Sequence, residues 1–402
     1  MGKQYSEQEL KAVLGRDMAE SEIINRKMQE AYAMIEKSDR QKKNNGLKRA
    51  GIRTAIMAAG AAAALLLGFG VCAANPVLAA KIPLIGRIFQ VEEKKVSYPG
   101  DYSEKAERLS PVAETGTETV KENNPYSQIS DGIAFTISEC YADNMAMYLA
   151  VTIEARDGFP KEFVDAAKNT DLDYITLGID STAAVDFTDA GLGKVFFDPA
   201  HGTEAPHSIE GNFVDMNTFA GIIRFPLTSL TAVDENAEFI NLFDSVPGKF
   251  TCELEITNIY AYGPADLFDP NDFGLVELSG KWSFPKINVN VDSSDAIVKN
   301  INQTNDEGIG IRAVRKTAYE IEAQLIVPEG ESAGDYVIFM ADADGKRLES
   351  RGGRAEVYNV YQRNTAKITI GICRESDYME NKGDFDKLRE LAVFQTEVDF
   401  RK

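Results

Sequence analysis

The chain has 402 residues, of which 44% are apolar, so it is long enough for two folded domains with further segments attached. Its formal net charge of −20 is unevenly spread, because residues 1–53 carry 12 Lys and Arg against 8 Asp and Glu while the remainder is strongly acidic. An acidic surface repels nucleic acid, so we expect no nucleic-acid partner for the large C-terminal part.

Two short amphipathic helices are predicted within residues 1–50. Ser6 and Glu9 have the spacing of a capping box, and Ser21 offers a second helix start. Apolar residues then recur at intervals of three and four on one face of each helix: Leu10, Val13, Leu14, Ile24, Met28 and Ile35. Two helices of this size cannot bury a core of their own, so this face is predicted to pack against the other helix, a second copy or a partner. The alternative is a partly disordered tail.

An uncharged stretch of 27 residues, 54–80, follows these helices. About 20 predominantly apolar residues are enough to cross the hydrocarbon core of a bilayer, so residues 54–76 are predicted as one transmembrane helix. A buried core helix and a cleaved signal peptide are the alternatives. Positive charge concentrates on the N-terminal side of this stretch, at Lys42, Lys43, Lys48, Arg49 and Arg53. The positive-inside rule therefore predicts a single-pass protein of the cell membrane, with a cytoplasmic N-terminus and extracytoplasmic C-terminal domains.

A motif of Asn, Pro, Ile, Gly and Phe stands directly after the predicted helix. Because Pro76 cannot continue a helix comfortably, the span is expected to end near the outer membrane edge. The apolar residues beyond it are expected to lie in the membrane interface or to dock on the first domain. The motif consists of Asn75, Pro76, Ile82, Pro83, Ile85, Gly86, Ile88 and Phe89.

This motif, an Asn-Pro followed by Ile-Pro-x-Ile-Gly-x-Ile-Phe, resembles the signature of a family known as domain of unknown function 4179, which occurs in membrane proteins of Gram-positive bacteria. The similarity extends over residues 48–150 and includes Asp131-Gly132-Ile133. Many members of that family resemble anti-sigma factors of extracytoplasmic-function sigma factors. The resemblance therefore implies a membrane-bound regulator that binds a cytoplasmic sigma factor.

Residues 77–130 are predicted to hold this motif and a polar tether, with one short helix at 103–109. From residue 131 the pattern is that of β-strands, because apolar residues alternate with polar ones along segments such as 132–137 and 250–256. A second set of alternating segments begins at residue 308. The stretches 132–153 and 308–327 are similar enough to suggest a loose internal repeat.

The predicted fold is therefore a mainly β extracytoplasmic region, formed by two tandem Ig-like β-sandwiches behind an N-terminal pair of amphipathic helices and one transmembrane helix. The first sandwich is assigned to residues 131–290, with an insertion at 156–245, and the second to residues 291–402. One continuous all-β unit is the alternative.

The sequence contains no recognisable catalytic or metal-binding pattern. His201 and His207 share a loop-like stretch, and the four cysteines lack Cys-x-x-Cys spacing. Asp342-Ala343-Asp344-Gly345 lacks the ligand spacing of a calcium loop and suits a hairpin turn. We therefore expect no enzyme activity, no cofactor and no bound metal.

Two functions are compatible with these observations. In the first, the chain is a regulator resembling an anti-sigma factor, whose N-terminal helices bind a sigma factor and whose outer β-domains sense an unidentified extracytoplasmic ligand or the state of the envelope. In the second, it is a membrane-anchored structural or adhesive envelope protein with no role in transcription. The predicted partner-binding face within residues 1–50 distinguishes the two.

Overall fold

A computed structural model describes residues 87–109, 124–191, 193–197, 206–227, 246–262, 275–350 and 357–401. All of these residues belong to one compact unit. They form two β regions, which we call the first region (residues 107–290) and the second region (residues 297–399). The segment of residues 87–109, which leads into the first region and ends with its first strand, contains the short helix α1, Ile88–Glu92, and a 3-10 turn, Tyr102–Glu104.

The first region is one antiparallel sheet of ten strands. The strands are β1 Glu107–Arg108, β2 Ser127–Ser130, β3 Ile133–Ala142, β4 Ala146–Ala155, β5 Ile175–Phe187, β6 Gly193–Phe197, β7 Ser208–Phe213, β8 Thr218–Pro226, β9 Lys249–Tyr262 and β10 Leu275–Asn290. Their spatial order is β1-β3-β4-β8-β7-β5-β9-β10, with β2 also paired to β3 and β6 to β5. A helix, α2 Lys161–Ala167, follows β4 and packs against β9.

This sheet curls until its two ends meet. The indole N–H of Trp282, on the last strand, donates a 3.0 Å hydrogen bond to the carbonyl oxygen of Ile133 on β3. One residue away, the backbone N–H of Lys281 donates to the hydroxyl of Ser130 on β2 at 3.0 Å. Curling buries the inner faces of the long strands in one core, so the sheet needs no second sheet opposite it. The largest side chains of that core are Phe135, Phe163, Phe187, Phe197, Phe219, Phe225 and Trp282.

A pair of glycines marks the middle of the curled sheet. Gly211 of β7 and Gly221 of β8 lie directly opposite each other. A Cβ atom at Gly211 would collide with the backbone of Ala220, so the two strands approach closely only because both positions lack a side chain. Strands β5 to β8, which the sequence suggested to be an insertion, therefore supply the centre of the sheet.

The second region consists of two facing sheets. Its strands are β11 Ile297–Thr304, β12 Gly310–Lys316, β13 Glu320–Ile326, β14 Tyr336–Ala341, β15 Val357–Asn359, β16 Lys367–Arg374 and β17 Phe394–Asp399. One sheet has the order β11-β12-β13-β15 and the other β14-β16-β17. Side chains from both sheets, such as Ile311 and Ile370, form a single core between them. Two short helices between β16 and β17, α3 Glu375–Asn381 and α4 Phe385–Leu391, complete the region.

The predicted fold class is wrong in the form given above. Its mainly β character is confirmed, but the first region is a single curled sheet instead of an Ig-like sandwich. The physical reason is that alternation reports only that one face of each strand is buried, which a curled sheet and a pair of facing sheets both achieve. None of the helices in the described residues is long and apolar enough to cross a bilayer. The helix pair predicted in residues 1–50 and the span predicted at 54–76 lie outside the described residues.

The tether predicted before the β-strands also differs from the structure. Tyr98 and Tyr102 are buried, and the expected helix at 103–109 is replaced by the 3-10 turn and strand β1. These tyrosines lie in a stretch of mostly polar residues, so the amino-acid composition of that stretch did not indicate that they are buried.

Trp282 provides a test of how the sheet closes, since it is the single tryptophan of the chain and is fully buried. We expect Trp282→Phe to lower the free energy of unfolding by about 1 kcal/mol through the lost hydrogen bond, and Trp282→Ala to lower it by about 3–5 kcal/mol through the added cavity. Chemical denaturation followed by circular dichroism measures both. Ile129→Ala, at an exposed position of β2, is the control; an equally stable Trp282→Ala would contradict the closure.

Candidate functional site

The segment of residues 87–109, which we call the docking segment, lies on the outer face of the curled sheet. Ile88 and Phe89 are fully buried there against Tyr148, Ala150 and Ile222. Strands β3 and β4 are therefore covered on both faces, by the core inside and by the docking segment outside. The docking segment is thus part of the folded unit.

Three carboxylates, two from the sheet and one from the docking segment itself, hold the backbone of the segment in place. Glu139 accepts a 3.2 Å hydrogen bond from the backbone N–H of Phe89. Glu210 accepts bonds from the backbone N–H and the hydroxyl of Ser97 at 2.6 and 2.8 Å. Within the segment, Glu93 accepts bonds from the backbone N–H and the hydroxyl of Ser103, both at 2.7 Å. Burial raises the pKa of Glu139 and of Glu93, because an ionised carboxylate is poorly solvated in this position.

A cluster of tyrosines joins the docking segment to both β regions. The ring of Tyr102 stacks on that of Tyr148 at a centroid distance of 4.2 Å and meets the ring of Tyr319, from the second region, edge-on at 4.8 Å. Tyr141 contacts the same three rings at 5.5 to 5.9 Å. Ring pairs at such distances contribute about 0.5–1.5 kcal/mol each beyond the area they bury. The cluster therefore stabilises contact among three separate parts of the chain.

A buried ion pair crosses from the first region to the second. Glu320, at the start of β13, is fully buried and receives two hydrogen bonds from Arg224 of β8, from Nε at 2.7 Å and from Nη2 at 2.6 Å. The hydroxyl of Tyr148 donates a third bond to the same carboxylate at 3.0 Å. This bidentate geometry is the strongest arrangement between an arginine and a carboxylate. We call the place where Tyr102, Asp143, Tyr148, Arg224 and Glu320 meet the junction.

A second buried pair lies beside it. Arg315 of β12 donates from Nη2 to Glu322 of β13 at 2.6 Å, and both side chains are almost fully buried. The same nitrogen donates a longer 3.4 Å bond to the backbone carbonyl of Leu227 in the first region. Burial raises the pKa of Glu322, although Arg315 acts in the opposite direction. The second region therefore contributes a carboxylate at two alternate positions of one strand.

Asp143 occupies the turn between β3 and β4, and it is 1% exposed. Its Oδ1 accepts hydrogen bonds from the backbone N–H groups of Met145 and Ala146 at 2.8 and 3.0 Å, which fixes the turn. Burial, followed by the charge of Glu320, raises the pKa of Asp143 to about 6. A buried carboxylate at this turn thus faces a second one from the other β region.

Ion pairs on the rim of the junction are partly exposed. Lys105 of the docking segment contacts Asp292 at 2.6 Å and Asp295 at 3.0 Å, in the stretch that links the two regions. Lys94 pairs with Asp101 and with the hydroxyl of Tyr361, a residue of the second region. Exposed pairs of this kind contribute little individually, so we assign the main stabilisation to the buried groups.

Of the residues predicted from the sequence as a functional site, only two fall in the part of the chain that the structure describes. Ile88 and Phe89 lie in the docking segment. The others lie outside the described residues: Leu10, Val13, Leu14, Ile24, Met28, Ile35, Asn75, Pro76, Ile82, Pro83, Ile85 and Gly86.

Sequence reasoning missed the charged members of the junction. Arg224 interrupts an otherwise apolar strand, and an arginine at such a position is rarely buried unless it is paired. Glu320 and Glu322 alternate with Ile321 and Ala323, so they looked like the solvent face of a strand. The position of Arg224 could therefore have indicated a buried ion pair from the sequence, whereas the positions of the two glutamates could not.

The remaining candidate groups show no site in the described residues. Cys140, Cys252 and Cys373 are free thiols in buried positions, and burial raises the pKa of each. Within the described ranges, no group of three or more His, Cys, Asp and Glu side chains is arranged to hold a metal ion. The turn at Asp342 is a hairpin turn, in which Asp342 pairs with Arg363 at 2.8 Å.

Comparison with known proteins identifies one family. Residues 51–155 match the family described as Domain of unknown function (DUF4179), which confirms the resemblance over that range. The matched range ends at the last residue of β4, so it includes the docking segment, Asp143 and Tyr148. A search of curated proteins finds no match. Among solved structures, one titled "The crystal structure of the conserved domain protein from Bacillus anthracis" is similar at 13% identity and a TM-score of 0.38, over 79% of this chain and 100% of that chain.

The pair between Arg224 and Glu320 yields a prediction about stability. We expect Arg224→Met to lower the free energy of unfolding by about 3–5 kcal/mol, because it leaves the Glu320 carboxylate buried without its cation. The double variant Arg224→Met with Glu320→Leu is expected to be more stable than the single one, since it removes both charges. Urea denaturation measures the three proteins, and Lys194→Met, which breaks an exposed pair with Glu253, serves as the control. A double variant no more stable than Arg224→Met would contradict this assignment.

Proposed function

We propose that this chain is a regulator, in which residues 1–50 bind a cytoplasmic sigma factor and the β regions respond to a ligand or condition outside the cytoplasm. The observation that carries the proposal is the position of the docking segment. It continues directly from the N-terminal part of the chain, and it contacts both β regions at the junction. A change in how the two regions pack is therefore coupled to the chain that leads to the sigma-binding segment.

The coupling has a physical basis in the contacts of Tyr102. This ring touches Tyr148 and Tyr141 of the first region and Tyr319 of the second. If the two regions move apart, Tyr102 loses ring contacts on one side, and the docking segment becomes less stable on the sheet. A ligand that favours one arrangement of the regions would shift this equilibrium by the difference between its affinities for the two arrangements.

Two further observations support a regulator over an enzyme. Residues 51–155 match a family described only as a domain of unknown function, and the motif at its start resembles that of membrane proteins similar to anti-sigma factors. The buried polar groups at the junction hydrogen-bond to one another, and the bonds that Arg224 and Tyr148 donate to Glu320 join the first β region to the second. Such groups stabilise an arrangement of domains; we propose no chemical reaction for them.

We propose that the protein lies at the cell membrane, with its N-terminal residues in the cytoplasm and its β regions outside. The net positive charge of residues 1–53 and the acidic character of the remainder support this placement. An acidic surface is repelled by anionic headgroups, so the β regions are expected to stand away from the membrane surface.

The sigma-factor proposal predicts the effect of single substitutions in residues 1–50. A peptide of these residues should capture the cognate sigma factor, and Leu14→Asp or Met28→Asp should abolish capture. Each of these apolar side chains contributes about 1.5–3 kcal/mol when it is buried against a partner. Lys11→Ala is the control and should bind as the wild type does.

A pull-down with purified sigma factor measures this binding. Equal capture by Leu14→Asp and the wild type would contradict the proposed face. Absence of capture by the wild type would favour an anchored structural or adhesive envelope protein.

The proposed orientation predicts which positions an impermeant thiol reagent can reach in intact cells. Ser350 is exposed in the second region, so Ser350→Cys should be labelled, whereas Ser6→Cys should be labelled only after lysis. Background from Cys140, Cys252 and Cys373 should be low because all three are buried, and Cys72→Ser removes the fourth thiol. Labelling of position 6 in intact cells would overturn the orientation.

A further inference from the structure

Two hairpin turns, one from each β region, meet at the junction. The turn between β3 and β4 carries Asp143, and the turn between β12 and β13 carries Thr317, Tyr319 and Glu320. The first turn is fixed by the two backbone bonds to Asp143, and the second by backbone N–H groups of Tyr319 and Glu320 that donate to the Thr317 hydroxyl at 3.4 and 3.3 Å. Both turns are therefore held by side-chain hydrogen bonds to their own backbone, and each carries a buried carboxylate.

The two carboxylates differ in the hydrogen-bond donors that stabilise their negative charge. The Glu320 carboxylate accepts hydrogen bonds from Nε and Nη2 of Arg224 and from the hydroxyl of Tyr148. Asp143 is bound by two backbone N–H groups and also faces Thr317. An uncharged donor stabilises an ionised carboxylate less than a guanidinium does, so Asp143 is the more costly of the two to ionise.

We propose that Asp143 makes the junction acid-sensitive: its protonation in mildly acidic surroundings favours the packed arrangement of the two β regions, and its ionisation near neutral pH weakens it. This inference goes beyond the proposed function, because it concerns the packing of the two regions and holds whether or not residues 1–50 bind a sigma factor.

The groups that face Asp143 come from every element around it. Glu320, from the second region, adds a like charge, and burial together with that charge raises the pKa of Asp143 to about 6. Tyr141, Tyr148 and Tyr319 are neutral there, since burial raises the pKa of each. Asp292 lies beside Asp143 in a backbone bridge, and its charge is countered by Lys105. The guanidinium of Arg224 is directed at Glu320.

The sign of the pH effect follows from proton binding. The pKa of Asp143 is raised in the packed state, so the packed state binds more protons than an open state in which Asp143 is solvated. Its stabilising contribution is fully present below the ordinary pKa of an aspartate, about 4, and is lost as the pH rises through about 6. Glu93 and Glu139 have raised pKa values too, so they act in the same direction on the docking segment.

Amide hydrogen exchange of the purified full-length chain tests this inference. Protection factors, which are corrected for the intrinsic effect of pH on exchange, are measured at pH 5.0 and 7.5 for the amides of Met145, Ala146 and Glu320. From a pKa near 6 for Asp143, we expect the wild type to be about tenfold more protected at pH 5.0, with a further increase from the other two carboxylates.

Asp143→Asn keeps the side-chain oxygen that accepts the two backbone bonds and removes the charge. We expect the pH-dependent gain in protection to be about tenfold smaller in this variant, because its junction is already more protected at pH 7.5. Asp157→Asn, at an exposed position beyond the other end of β4, should respond as the wild type does.

Two results would overturn the inference. One is equal protection of the two turns at both pH values in the wild type, a result that does not depend on whether any variant folds. The other is an Asp143→Asn protein with the native fluorescence of Trp282 and an unchanged pH response.

Discussion

The burial of the Glu320 carboxylate is the constraint on which the arrangement of the two β regions depends. A charge held away from water is stable only where other groups replace its solvation. Arg224 and Tyr148 provide that replacement, and both belong to the other region. The second region cannot separate from the first without exposing this carboxylate or leaving it unpaired. Each region has its own core, yet this one residue ties their relative position to three hydrogen bonds.

The docking segment depends on the same surface. Tyr148 donates to Glu320 through its hydroxyl and stacks on Tyr102 through its ring, so one side chain serves both the ion pair and the tyrosine cluster. The outer faces of β4 and β8 are apolar at Ala150, Ala220 and Ile222, and the docking segment covers them. Residues that come early in the chain thus complete a structure built mostly from later ones. This dependence makes the segment a suitable connection between the β regions and the N-terminal part of the chain.

Acidic groups have a particular role in this arrangement. The chain is rich in carboxylates, and in the part that the structure describes Glu93, Glu139, Asp143 and Glu322 are buried enough for their pKa values to rise. Three of them accept hydrogen bonds from backbone N–H groups, which positions the docking segment or the hairpin turn at the junction. Replacement of such a residue by an apolar one would remove the bond along with the charge. Amide substitutions are therefore the more informative variants at these positions.

Local periodicity and a short motif were sufficient to predict three features: the mainly β character, the similar β stretches at 132–153 and 308–327, and the family resemblance around the docking segment. Three other features became visible only in the folded protein: the first sheet curls onto itself, Tyr98 and Tyr102 are buried, and Glu320 pairs with Arg224. The partners in that pair are 96 residues apart in the sequence. Alternation along a strand shows that its two faces differ, but it does not show which residues cover each face. A glutamate on a solvated face and one paired across a domain boundary look the same in sequence, since the difference lies in a surface that exists only after both regions have folded.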